Sequence, residues 1–291
     1  MNGYLLSVLL GIIEGLTEFL PVSSTAHLRL SEKLLGVNLS DGYWKMYSIV
    51  IQLGAILCLP FYFRQRIADF LATFPNGRNG NRTLWNHPLT LTAVAFVVTA
   101  VPAFLLTKLI GKNLESVFVM GAALLIGGIV MWAVDAIYGK PPASGYKTSD
   151  METMTLGQAI WIGACQITSA VFPGTSRSMS TIAGGQLAGM SRPAALEFSF
   201  FLSMPTMIAA TGYDLLKSLR HHGGETAIGI APANAHEWIV LAIGFVISFL
   251  VAYAVVAWFM HWVRKHGFVP FAVYRIIVGI AVLVWATSLA H

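Results

Sequence analysis

Six stretches of this chain run for about twenty residues with hardly a charge inside them. That is the length a helix rising ~1.5 Å per residue needs to cross ~30 Å of hydrocarbon. They cover roughly 43–63, 89–110, 115–137, 193–213, 238–262 and 269–289. Composition agrees. The 291 residues include 18 Lys+Arg and 13 Asp+Glu, only 11% charged, and the mean hydropathy is +0.70. A soluble domain has roughly 25% charged residues with which to face water. The same apolar excess excludes disorder. The expectation is an all-α integral membrane protein.

The net charge of +5 could suit nucleic acid, but the basic residues are scattered over short loops, where membrane orientation accounts for them. No nucleic-acid partner is expected. One side would carry Arg64, Arg66, Arg78, Arg82, Lys140, Lys147, Arg192, Arg264 and Lys265. The other would carry Lys33, Lys45, Lys108, Lys112, Lys217 and Arg220. The richer side is read as cytoplasmic, with both termini outside. Cys58 and Cys165 lie inside apolar runs and form no metal-binding CxxC pair. The start, Met1 to Ile13, lacks a basic region, so no cleavable leader is expected.

Two more apolar stretches do not fit a span. Residues 3–36 are broken by Glu14, Glu18, Pro21 and Ser23-Ser24-Thr25, with His27 beyond. Residues 155–190 are broken by Gln166, Pro173-Gly174 and Thr175-Ser176-Arg177-Ser178. Each half-run is too short to span, so the two stretches predict re-entrant helix pairs. Non-helical backbone at membrane depth is tolerated only inside protein or along a watery cavity. The breaks also match: Gly11 falls on Gly163, Glu14 on Gln166, Thr17 on Ser169, Pro21 on Pro173 and Ser24 on Ser176. The predicted architecture is a single membrane domain, 1–291, built as an inverted-topology repeat. Repeat 1 covers about 1–137 and repeat 2 about 155–291, each a re-entrant pair followed by three spans. Such repeats place their site where the breaks meet.

The breaks hold the chemistry. Glu14 and Glu18 are one helical turn apart, so in an apolar site one must take a proton, bind a cation or face a cationic group. Ser23, Ser24 and Thr25 follow Pro21, where hydroxyls and free N–H groups at a helix start suit an anion; plain N-capping is the blander reading. His27 shares the face of Ser24. In the second break Ser176 and Ser178 flank Arg177, whose guanidinium offers phosphate oxygens a fork, and Thr181 follows one turn later. These groups together form a phosphate or diphosphate site, and acids beside phosphate imply a divalent cation, Mg²⁺ or Ca²⁺, with Glu14 and Glu18 as its ligands. Other candidates read as structure. His221-His222-Gly223-Gly224-Glu225 is a solvated loop, and Gly185 with Gly189 is a helix-packing GxxxG. Asp135 and Arg275 read as span-end charges that snorkel. Glu197 could pair with the site or with Arg192. Tryptophans such as Trp85, Trp132 and Trp238 read as interface anchors.

The run Glu14-Gly-Leu-Thr-Glu18-Phe-Leu-Pro21-Val-Ser23-Ser24-Thr25-Ala-His27 resembles the first signature of the undecaprenyl-diphosphate phosphatase family of the bacitracin-resistance type. Pro173 to Ser178 with Thr181 resembles its second. Ile51 to Ala55 and Glu197 to Phe200 also look like its landmarks, and the likeness runs over the whole chain. One departure is Met179, where the family usually has Gly. The resemblance implies six spans and two re-entrant pairs in inverted repeat, and a site open to the outer face of the bacterial inner membrane. It implies removal of the terminal phosphate of undecaprenyl diphosphate, which recycles the carrier lipid for peptidoglycan synthesis and confers bacitracin resistance. It places Glu14, Glu18, Ser24, His27, Ser176, Arg177 and Thr181 in the site. The expected partners are the polyprenyl diphosphate substrate, membrane lipids and a second copy in a homodimer. The rival class is a transporter or flippase using the same anion site, since broken helices in inverted repeats are also a transporter plan.

Overall fold

The computed structural model describes residues 2–37, 42–78, 80–106, 116–220 and 232–288. Among them are eleven α-helices: α1 Gly3–Thr17, α2 Ser24–Leu34, α3 Gly42–Tyr62, α4 Arg64–Thr73, α5 Pro88–Leu105, α6 Val117–Tyr138, α7 Leu156–Val171, α8 Arg177–Leu187, α9 Arg192–Arg220, α10 Ala235–Trp262 and α11 Val269–Ser288. Six of these, α3, α5, α6, α9, α10 and α11, are long and apolar enough to cross a membrane, which makes this a multi-pass membrane protein. The six predicted spans fall on them within a few residues, apart from 107–115, which lie outside the described residues along with Lys108 and Lys112. Between the first two predicted spans, the segment after residue 63 contains α4, whose one buried side chain is Phe70. His221, His222 and Glu225 also lie outside the described residues.

Both broken stretches are pairs of helices too short to span. Each second helix, α2 and α8, has 11 residues, about 16 Å of rise. Each begins directly after a serine with positive φ: Ser23 at 75° and Ser176 at 71°. That conformation is uncommon outside Gly, Asn and Asp. The structural counterpart of Ser176 is therefore Ser23, rather than Ser24 as the residue match suggested. The second break has one residue more between its proline and this serine, Pro173-Gly174-Thr175-Ser176 against Pro21-Val22-Ser23. The extra glycine fits because its φ is +96° and a Cβ there would meet the Met120 carbonyl oxygen at 2.7 Å.

The chain packs as two compact units. The first comprises residues 1–19, 24–62 and 203–257, hence α1, α2, α3, the later part of α9 and most of α10. Its apolar core is built on Leu6, Leu10, Leu28, Tyr47, Ile51 and Val240. Ser7 is locked inside it, donating to the Val240 carbonyl at 2.6 Å, while Tyr47 donates to the Ser7 carbonyl at 3.0 Å. Gly54 lets α3 approach α10, since a Cβ there would meet the Phe245 carbonyl oxygen at 2.6 Å. This is the close approach of small residues that membrane helix packing favours.

The second unit comprises residues 20–23, 63–202 and 258–291. Here α6 packs along α11, and α5 against α7. Asp135, far from snorkelling, is buried and fully engaged. It accepts from Arg192 at 2.7 Å, from Gln186 at 2.9 Å and from the Phe268 N–H at 2.8 Å. Glu197 pairs with Arg66 of α4 at 3.1 Å rather than with Arg192, and Arg66 also reaches Glu152 and Asp150. The GxxxG is half a packing motif. A Cβ at Gly185 would meet Ala195 at 2.7 Å, whereas Gly189 has φ +84° and follows the end of α8. An αL glycine there is a helix stop.

Candidate active site

In the first unit α1 delivers both acids. The Glu18 N–H donates to the Glu14 carbonyl at 2.9 Å, so the last helical turn stacks the two side chains on one face. Glu14 is 1% and Glu18 5% exposed. The chain turns at Pro21 and returns in α2, and Ser24 at its start donates its hydroxyl to Glu18 Oε2 at 2.6 Å. A hydrogen bond this short has the reach a general base needs. His27 lies half-buried one turn further along α2, and Thr25 is exposed. Glu32, which no sequence pattern marked, is fully buried on α2 and accepts from Ser48 at 2.6 Å and from Arg29 at 3.2 Å. Its bond to Ser48 ties α2 to α3.

In the second unit α8 begins at Arg177. The Ser176 and Ser178 hydroxyls are 3.1 Å apart, and Ser178 donates to the Leu20 carbonyl at 3.0 Å. Thr181 meets Ser199 of α9 at 2.7 Å and donates to the Arg177 carbonyl at 3.0 Å. The tip of the first break, Leu20–Ser23, belongs to this same unit, so the tips of the two breaks meet within it. Sequence reasoning missed what joins them. Arg275 of α11, read as a snorkelling charge, is 0% exposed. Its guanidinium donates to the carbonyls of Pro21 at 3.1 Å, Gly174 at 3.1 Å, Thr175 at 2.9 Å and Ala123 at 3.1 Å. Buried turn carbonyls need donors within the protein, and one arginine supplies them to both tips. Ser199 was also missed as a site neighbour. Its signal was present in the Glu197 to Phe200 landmark, but no role followed from it.

Among the described residues no three His, Cys, Asp or Glu side chains cluster as a metal cage. Glu14 and Glu18 nevertheless offer hard oxygen donors one turn apart, beside the Ser24 hydroxyl. Such a pair fits a small divalent cation that takes one or two carboxylates and completes its shell with water and substrate phosphate.

Comparison with known proteins agrees over the full length. The family model for the bacitracin resistance protein BacA matches residues 7–281. The undecaprenyl-diphosphatase of Koribacter versatilis (strain Ellin345) is 69% identical over 287 residues, 98% of this chain and 99% of the relative. That of Caldanaerobacter subterraneus subsp. tengcongensis is 41% identical, with 94% of this chain and 93% of the relative covered. That of Xanthomonas oryzae pv. oryzae is 40% identical over the whole of both chains.

Proposed function

The chain belongs to the BacA bacitracin-resistance family, and on that footing we propose that it is an integral-membrane undecaprenyl-diphosphatase. It releases the terminal phosphate of undecaprenyl diphosphate and regenerates the monophosphate carrier for peptidoglycan synthesis. The observation that carries the chemistry is the 2.6 Å hydrogen bond from Ser24 to Glu18. A hydroxyl held on a buried carboxylate is a nucleophile with its base already in place.

In the step we favour, Glu18 takes the Ser24 proton as Oγ attacks the terminal phosphorus. The bond from that phosphorus to the bridging oxygen breaks, and His27 gives a proton to the departing lipid monophosphate. Water then cleaves the phosphoserine. Direct attack by water, activated at Glu18, is the competing order of events. Arg177 with Ser23, Thr25, Ser176, Ser178 and Thr181 binds phosphate oxygens, and the guanidinium takes up charge as it builds on the equatorial oxygens. A divalent cation, Mg²⁺ or Ca²⁺, would be held by Glu14 and Glu18 and would supply further charge neutralisation.

The two helix pairs re-enter the membrane as halves of an inverted repeat. The enzyme sits in the bacterial inner membrane with its site toward the outer side. The transport reading gains nothing from the named relatives, and carriage alone has no use for a hydroxyl–carboxylate pair. The test is phosphate release from undecaprenyl diphosphate in detergent, where nothing can be transported. Release that a chelator abolishes supports the whole reading. Absence of release overturns it.

A further inference from the structure

An apolar cavity of about 500 Å³ opens beside the second tip, within the second unit. Small residues of α6, Ala122, Ala123 and Gly127, form its floor. Phe118, Ile126 and Phe172, each more than half exposed, stand as its walls on the lipid-facing side. It reaches Thr175 and Met179 at the tip. Met179 sits over Gly127: a Cβ on that glycine would come within 2.9 Å of Met179 Cε and would also meet the Arg275 guanidinium. Thus the methionine forms part of the groove rather than crowding the polar tip.

We propose that this groove seats the isoprenoid chain of the substrate next to its diphosphate, with Met179 as the residue that shapes the seat. The inference rests on the phosphatase reading. Thr175 and Met179 line the groove, and they are also immediate neighbours of Ser176 and Ser178, whose hydroxyls are 3.1 Å apart. Polar and apolar surfaces therefore meet at one point, as an amphiphile esterified through its phosphate requires. A membrane phospholipid brings an apolar chain but has no need to start it at this tip. The cavity falls in the size range of ligand sites, and a thioether adapts readily to a branched chain.

Two measurements test it. Ala122→Phe and Val130→Trp narrow the groove, while Ile129→Trp alters an exposed position of α6 outside the lining. The groove variants are expected to raise KM for undecaprenyl diphosphate about tenfold with kcat retained, as loss of binding common to ground and transition states does; Ile129→Trp leaves both unchanged. In the wild-type enzyme, undecaprenyl diphosphate carrying a diazirine in its first isoprene units should label residues 118–130 and 168–179, and excess phospholipid should not suppress that labelling. Adducts confined to other segments, suppression by phospholipid, or KM values equal to the control overturn the groove. If the wild-type enzyme releases no phosphate, the phosphatase reading falls instead, a result the labelling pattern cannot imitate.

Discussion

Ser24 donates its hydroxyl to Glu18 over 2.6 Å, so their substitutions leave different signatures. Glu18→Gln should lower kcat at least ~10²-fold by removing the base. Ser24→Ala should abolish turnover, and the quenched wild-type enzyme should yield phosphorylated Ser24; full activity in Ser24→Ala would hand the attack to water. Arg177→Ala should cost about 2–3 kcal/mol of transition-state stabilisation, measured as kcat/KM on the lipid substrate. Arg275 is a positioning residue. Arg275→Lys keeps the charge but a single ammonium cannot serve four carbonyls on three segments, so kcat should fall well below wild type even though lysine is conservative. Retained kcat in that variant would refute the pinning role. The acids, hydroxyls and Arg177 were legible because proline, glycine and a polar tract interrupt apolar runs. Arg275 was not, because its partners are backbone carbonyls distant in the chain, which leave no mark on the residues around it.

At the level of single helices, caps and close approaches set the outcome. Ser23 and Ser176 hold a positive-φ backbone that costs a non-glycine residue on the order of 1 kcal/mol. Ser23→Gly should therefore raise the unfolding temperature in detergent slightly. His87 caps α5, its Nδ1 accepting the Leu89 N–H at 3.3 Å, and must be neutral at that nitrogen to do so. Burial first, then the charge of Arg82, holds its imidazole below the ordinary histidine range, against a weaker opposing pull from Glu152. The folded chain thus takes up this proton at lower pH than the unfolded chain does. Stability should rise with pH from the depressed value up to about 6.5, and the contribution is lost as pH falls through that window. His87→Asn keeps a capping acceptor and should flatten the slope of thermal stability between about pH 5 and 7. Arg192→Ala strands the buried Asp135 carboxylate and should destabilise by about 3 kcal/mol. The long apolar helices were visible as runs, whereas α4 was not, because ten residues with a single buried side chain carry too little periodicity to stand out from a loop.

For the molecule as a whole, the charge bias of the loops predicts a sidedness that cysteine labelling can read. A cysteine at Lys265 should be shielded from an impermeant maleimide in intact cells, and one at Lys33 should react; the reverse pattern would invert the topology. The residue match pairs Ser24 with Ser176, whereas the positive φ of Ser23 pairs Ser23 with Ser176, because a residue match cannot see φ. That single added position, Gly174, bears on whether the two turns can be exchanged. Both second helices start directly after their positive-φ serine, so the extra residue lengthens the turn and leaves the helix register unchanged. The two turns are therefore not interchangeable parts: grafting Val22-Ser23 in place of Gly174-Thr175-Ser176 would leave one carbonyl where Arg275 now binds two.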